Sequence, residues 1–290
     1  MKIFIIGCNG QLGQDMGLCA QKHGHIVSGL DFPAIDITVS QSVSDAVLQH
    51  APECIINCAA HTAVDLCETE VQKAFAINRD GVKNIALAAK KIGAKIVHIS
   101  TDYVFDGTKK GPYIETDVPN PASVYGKSKL AGEEILAKTY DRFFTFRLAW
   151  LYGVRGNNFL KTIRAIAQKS VANQKPLKVV NDQVGTPTYT IHVCEQILSV
   201  ISTDNFGLYH STNEGFCSWY DFAKAIVDAY HIPVQVAPCT TTEFTAEFPR
   251  PAPRPANSVL ENEHLKKLGL NIMPQWEKGL QDYIEEEKLL

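Results

Sequence analysis

The amino-acid sequence predicts an α/β fold, a doubly wound parallel sheet with a smaller α/β C-terminal lobe. Three observations carry this. Short apolar runs alternate with helix-like stretches through the first half, as in strands covered by helices on both faces. The first of these runs leads directly into a glycine-rich turn, Gly7-Cys8-Asn9-Gly10-Gln11-Leu12-Gly13. After about residue 150 the alternation loosens into short strands, helices and proline-bearing loops.

Composition narrows the classes of function. The chain has 290 residues, 45% hydrophobic and 20% charged, which argues against a disordered or fibrous protein. With 28 Lys and Arg against 31 Asp and Glu, the net charge of −3 gives no general basic footprint for nucleic acid. No apolar run reaches the ~18 residues of a membrane span. The opening run Met1–Gly7 is too short for a signal peptide and lacks a small-residue cleavage site. It reads as a first buried strand and implies a chain that stays in the cytoplasm. The eight cysteines form no CxxC pair and the nine histidines no HExxH pattern. No protein-built metal site is expected, and the thiols are expected to be reduced and mostly buried.

The elements follow in order. Strands are expected at Lys2–Ile6, His25–Leu30, Cys54–Cys58, Lys95–Ile99 and Phe143–Leu148, each short and apolar and so covered on both faces. Helices are expected at Gln11–His23, Ser40–His50, Glu68–Ile92 and Ser123–Tyr140. In the second half, helices are expected at Asn158–Lys169, Ile191–Ser202, Ser218–Tyr230 and Trp276–Glu287. A proline cluster occupies Pro249–Pro255, and no linker-like stretch divides the halves. Residues 1–150 are read as a core and 151–290 as a lobe mainly built onto it, with some later segments returning to the core.

The glycine-rich turn has a chemical reading. Glycines three apart let the backbone turn tightly and approach a pyrophosphate, and the helix that follows aims its amides at phosphate oxygens. Gly7, Gly10 and Gly13 are spaced GxxGxxG rather than GxGxxG. Asp31 ends the second strand, 18 residues after Gly13, near the ~20-residue spacing of a ribose-binding acid. A solvated loop acid or helix cap is the alternative for Asp31. A carboxylate there repels a 2′-phosphate, and Asp31–Thr38 contains no Lys or Arg. The sequence therefore leans toward NADH while leaving NADPH open. Residues 1–150 become a Rossmann-like dinucleotide-binding core and 151–290 a substrate-binding lobe.

Tyr125 and Lys129 stand four apart in a predicted helix and share a face. An ammonium beside a phenol favours the phenolate, and the lysine can also hold a ribose hydroxyl. The alternative is an ordinary amphipathic helix with a half-exposed tyrosine. Upstream, Ser100-Thr101-Asp102-Tyr103 follows the fourth strand, at the carboxyl edge where ligands bind in such folds.

Taken together, Gly7-x-x-Gly10-x-x-Gly13, Ser100–Gly107 and Tyr125-x-x-x-Lys129 resemble the extended short-chain dehydrogenases/reductases. Asn57–Asp65, Arg147–Gly153, Gly156–Phe159, Asn181–Thr188 and Arg254–Ser258 narrow the resemblance to the dTDP-4-dehydrorhamnose reductase family, over nearly the whole chain. The resemblance implies that Gly10, Gln11 and Leu12 line the cofactor phosphates, that Asp31 lies by the adenosine ribose and that Asp36 and Ile37 lie by the adenine. It places Ala60, His61 and Thr62 beside the cofactor, and Tyr125 and Lys129 at the nicotinamide ribose. Thr101 and Asp102 would face the sugar, Trp150 would pack on it, and Gln183 and Arg254 would touch the nucleotide or diphosphate. Trp150 has a plain core role as its alternative. Some members dimerise around magnesium through acidic residues. Here Ile191 stands in one such region although Asp15 is acidic, so Mg2+ and that mode of dimerisation are doubtful.

The expected activity is reduction of a C4 keto group on a dTDP-linked 4-keto-6-deoxy sugar, in a monomer or homodimer with no nucleic-acid or membrane partner. Thr101, Tyr125 and Lys129 are the expected catalytic residues. A sugar-nucleotide epimerase or dehydratase is the enzymatic alternative, but dehydratases resemble this pattern with an acidic pair where Tyr103 follows Asp102 here. A non-catalytic partner protein of the same fold, like the regulatory β subunit of methionine adenosyltransferase, is the third.

Overall fold

Alternate burial makes the first strand a double-sided one. In β1 (Lys2–Ile6), Ile3 and Ile5 enter one apolar cluster while Phe4 and Ile6 enter another. Successive strand side chains point to opposite faces, so such a strand must be covered twice. The computed structural model describes residues 1–290 and has both covers.

The first half continues with α1 (Gln11–Lys22), β2 (Ile26–Leu30), α2 (Ser40–His50), β3 (Cys54–Asn57), α3 (Val64–Cys67), α4 (Val71–Phe75), α5 (Val82–Ile92), β4 (Lys95–Thr101), α6 (Val124–Thr139) and β5 (Phe143–Leu148). The second half adds β6 (Leu151–Tyr152), α7 (Phe159–Ala172), β7 (Leu177–Val180), β8 (Val184–Gly185), β9 (Thr188–Tyr189), α8 (Thr190–Ile201), β10 (Gly207–His210), β11 (Cys217–Ser218), α9 (Trp219–Ala229), β12 (Val236–Cys239), α10 (Thr241–Glu247), α11 (Glu263–Lys267) and α12 (Trp276–Leu289).

Six strands form one parallel sheet in the order β2-β1-β3-β4-β5-β10. Helices α1 and α8 cover one face through Met16, Cys19, Val193 and Ile197. On the other, α2, α5 and α6 contribute Val43, Val47, Ile85, Ala89 and Leu136. The chain leaves β1 toward β2 on one side and β3 on the other. That reversal opens a crevice at the carboxyl ends of β1 and β3, the usual ligand position in open α/β sheets. A third cluster, with Tyr152, Leu160, Phe222, Ile226, Leu280 and Tyr283, fills the C-terminal lobe.

Two details differ from the sequence reading. β2 is an edge strand with Ile26 67% exposed, because nothing pairs with its outer side. The expected single helix Glu68–Ile92 is broken by a π-helical stretch, Ala76–Gly81, between α4 and α5. Such inserts often mark functional sites, and this one presents Asn78 to the loop after β3. Segments after residue 150 lie on the core: α8 packs on α1 and β10 pairs with β5. All eight cysteines are free, and no helix is long and apolar enough to cross a membrane.

Candidate active site

A cavity of about 700 Å³ opens over the carboxyl edge of the sheet. One wall is the glycine-rich turn. Gly7 has φ +81°, and a Cβ there would stand 2.7 Å from the Ala59 nitrogen. At Gly13 a Cβ would stand 2.1 Å from the Gly7 oxygen, so close passage of α1 over the turn requires glycine. Gly10 is different. A Cβ there meets only the Gly7 oxygen, at 3.4 Å, and would fill space belonging to the cavity. That cradle at a helix N-terminus fits a dinucleotide pyrophosphate. Gln11, Leu12, Asp36 and Ile37 line the same wall, with Asp31 at its edge. The Asp31 carboxylate accepts hydrogen bonds from the amides of Asn9, at 3.0 Å, and Phe32, at 2.8 Å.

The loop after β3 forms the floor. Asn78 grips it by accepting from the His61 amide at 2.8 Å and donating to the His61 carbonyl at 3.1 Å. Ala60 and Thr62 line the cavity, whereas the His61 ring turns away to Glu70, with Nε2 2.9 Å from the carboxylate.

The opposite wall carries the reactive groups. Ser123 caps α6, accepting from the Gly126 amide at 3.1 Å, which sets Tyr125 and Lys129 facing inward. Lys129 is 3% exposed and donates to the Ile99 carbonyl at 2.6 Å. Burial pushes its ammonium down to about 8, while the Glu133 carboxylate one turn along pulls it back up. Glu133 in turn accepts three hydrogen bonds from Arg147, of 3.0, 3.2 and 2.7 Å, and accepts from Ser100. Burial pushes the Tyr125 phenol well above its ordinary value. The expected depression by Lys129 is thus overturned: the ammonium is directed at a backbone carbonyl, and desolvation dominates. A phenol so placed keeps its proton at neutral pH.

Thr101 ends β4 and donates its only proton to Asp102 Oδ1, at 2.8 Å. Burial pushes the Asp102 carboxyl up to about 6, and its Oδ2 is buried with no hydrogen-bond partner. Asp102 lines the cavity, and an orphaned carboxylate oxygen on such a residue fits a ligand hydroxyl.

Trp150 also lines the cavity, with φ +46°. Its ring stacks on Trp219 with centroids 3.3 Å apart, and its N–H donates to Ser258 Oγ at 3.0 Å. One indole face is therefore covered by Trp219 and the N–H is engaged, so only the remainder of the ring can meet a ligand. Gln183 and Arg254 are not among the lining residues. Gln183 donates to Thr241 Oγ1 at 3.0 Å, and Arg254 is held by both Asp65 oxygens, at 2.5 and 2.6 Å. Residues not singled out beforehand that do line the cavity include Phe32, Val64, Tyr103 and Asn157. Val64, Tyr103 and Asn157 had a signal, as parts of the Asn57–Asp65, Ser100–Gly107 and Gly156–Phe159 motifs; Phe32 had none.

No three His, Cys, Asp or Glu side chains gather in a metal-binding group. The acidic residues near α1 do not fit magnesium either, because an arginine is already bound between them.

A glycine cradle at the switch point and an inward Tyr-x-x-x-Lys pair on the facing helix define the class of extended short-chain dehydrogenases/reductases. Comparison with known proteins narrows it. A family model described as RmlD substrate binding domain matches residues 1–289, and the chain belongs to that family. The chain is 39% identical over 293 residues to a dTDP-4-dehydrorhamnose reductase of Aggregatibacter actinomycetemcomitans, covering 97% of each. The crystal structure of a dTDP-4-dehydrorhamnose reductase from Clostridium acetobutylicum superposes with a TM-score of 0.94 at 45% identity, covering 99% of this chain and 100% of that one. The corresponding enzyme of Bacillus anthracis, solved in complex with NADP, gives 0.93 at 38% identity, with 98% and 99% covered.

Proposed function

We propose that this protein reduces the C4 keto group of dTDP-4-dehydro-L-rhamnose to give dTDP-L-rhamnose, using NADH or NADPH. The observation that carries the proposal is the meeting of Tyr125, Lys129 and the Thr101–Asp102 pair with the glycine cradle in one cavity. When bound, the dihydronicotinamide supplies the hydride. Tyr125 keeps its proton for the developing C4 alkoxide. Thr101 bonds that oxygen once its hydroxyl turns from Asp102, adding a donor where negative charge grows. The free Oδ2 of Asp102 accepts from a sugar hydroxyl. Lys129 holds ribose hydroxyls, and the part of the Trp150 ring that lines the cavity packs on the 6-deoxy sugar. The free thiols suit a reducing compartment, in keeping with cytoplasmic work.

The test is to mix the protein, a reduced coenzyme and the keto-sugar nucleotide. Loss of absorbance near ~340 nm together with a dTDP-rhamnose product is expected. Product without net coenzyme oxidation would point to epimerisation instead, and no reaction to a binding subunit.

Coenzyme choice is expected to follow Asp31. Its carboxylate faces the cavity edge with no Lys or Arg in Asp31–Thr38, so wild type should use NADH at least as well as NADPH. Asp31→Ala should move the kcat/KM ratio toward NADPH by roughly tenfold, the scale of one unscreened like-charge contact. A strong wild-type preference for NADPH contradicts this assignment.

Trp150→Ala is expected to raise the KM for the sugar nucleotide and lower kcat/KM, with coenzyme affinity nearly unchanged. Loss of the stack on Trp219 should also cost ~3–5 kcal/mol of stability. Trp150→Phe is the discriminating variant, since it keeps an apolar ring but not the Ser258 bond. A Trp150→Ala protein that melts early yet binds sugar nucleotide normally once folded makes Trp150 a core residue only.

A further inference from the structure

Behind the glycine-rich helix lies a charged cluster that the proposed reaction does not use. Asp15 on α1 is fully buried. A carboxylate removed from water needs a counter-charge and partners for its lone pairs. Arg155, in the loop before α7, supplies the charge. Its Nη1 lies 2.6 Å from Asp15 Oδ1 and 2.9 Å from Glu286 Oε1 on α12. The second oxygen of Asp15 accepts from Thr190 at the start of α8, and that of Glu286 accepts from the Tyr189 hydroxyl. Gly153 leaves room for this closure: a Cβ there would stand 2.3 Å from Thr190 Oγ1 and 2.9 Å from Asp15 Oδ2.

One cationic nitrogen thus sits between two carboxylates whose remaining oxygens are each held by a hydroxyl. A magnesium ion asks for about six oxygen ligands near ~2.1 Å and keeps its waters tightly. Here the space between the acids holds a guanidinium, and the neighbouring Ile191 packs into apolar clusters. The residues do not fit a resident divalent ion.

We infer that Arg155 is the built-in cation of this junction, tying α1 to α12 within one chain in the way a bridging metal would. Two consequences follow. Asp15 and Glu286 are satisfied internally and are not free to share an ion with a second copy. The loop carrying Arg155 also buttresses the nucleotide wall: Asn158 Nδ2 donates to Gln11 Oε1 at 2.8 Å and to the Gly153 carbonyl at 2.7 Å. Asn158 positions Gln11 directly, and Arg155 acts on it only by anchoring the loop that leads into Asn158.

The test measures Tm of the full chain in EDTA and in millimolar Mg2+ or Mn2+, with bound Mn2+ followed by electron paramagnetic resonance. Wild type is expected to melt at the same temperature in all three and to bind no Mn2+. Arg155→Met should lose about 5–15 °C in EDTA, recover part of it with either ion, and bind Mn2+. Its coenzyme Kd should also rise several-fold. Arg155→Lys, which keeps a positive charge, should fold, melt between the two and ignore both ions. Stabilisation of wild type by Mg2+ overturns the inference. So does an Arg155→Met protein that melts like wild type or gains nothing from either ion. Should that variant fail to fold, an Arg155→Lys protein stabilised by Mg2+ overturns it equally. All readouts but the coenzyme Kd are independent of the substrate assignment.

Discussion

Tyr125→Phe is expected to lower turnover by roughly 10²–10⁴-fold, the usual contribution of a positioned general acid. The change removes one oxygen and leaves the ring, which packs edge-on against Tyr103 with centroids 5.5 Å apart. Coenzyme affinity and melting temperature should therefore stay near wild type, so the loss should fall on kcat with little change in coenzyme KM. The measurement is steady-state reduction of the keto-sugar nucleotide beside coenzyme binding by fluorescence. Turnover within a few-fold of wild type would remove Tyr125 as proton donor. Because desolvation holds the phenol above its ordinary value, wild-type activity should show no loss of the acid form of Tyr125 across neutral pH.

Lys129→Met should cost about 10–100-fold in kcat/KM, the scale of a charge-assisted hydrogen bond, divided between weaker coenzyme binding and slower turnover. The pH dependence makes this specific. The Lys129 ammonium is pushed down to about 8, chiefly by burial. It is charged below that pH and neutral above it. Wild-type coenzyme affinity should thus be full at pH 7 and decline as pH rises through about 8, and the decline should vanish in Lys129→Met. Stability is the control. Burying an ammonium costs free energy, so the methionine variant should be at least as stable as wild type. Equal affinity for coenzyme in the two proteins at pH 7 would leave Lys129 as a structural residue of α6.

Much of this molecule could be read from local patterns. Phe143–Leu148 and Ser40–His50 appear in the structure with the boundaries expected from the sequence, because apolar runs between breakers and helix-period stretches are short-range signals. Gly7, Gly10, Gly13, Tyr125 and Lys129 were visible for the same reason: a turn at a helix start and an i,i+4 pair are local geometry. The π-helical break at Ala76–Gly81 was not visible. It accompanies a close approach of α6, where a Cβ on Gly132 would stand 2.2 Å from the Asn78 oxygen, and only packing decides that.

The same division holds within the site. The sequence by itself determined the α/β class, the cofactor turn, and the residue types at the carboxyl edge of the sheet, since each is written within a few consecutive residues. Tertiary structure alone decided their chemical state. Whether Lys129 depresses Tyr125 depends on what lies around both, and burial, with the Ile99 carbonyl taking the ammonium, outweighs their spacing. Whether Arg254 is free for a phosphate depends on Asp65, far away in the chain, which already holds it. How much of Trp150 is left for a ligand depends on Ser258, which takes its N–H, and Trp219, which covers one face. Periodicity reports which groups share a face; desolvation and partner choice arise only when distant segments meet.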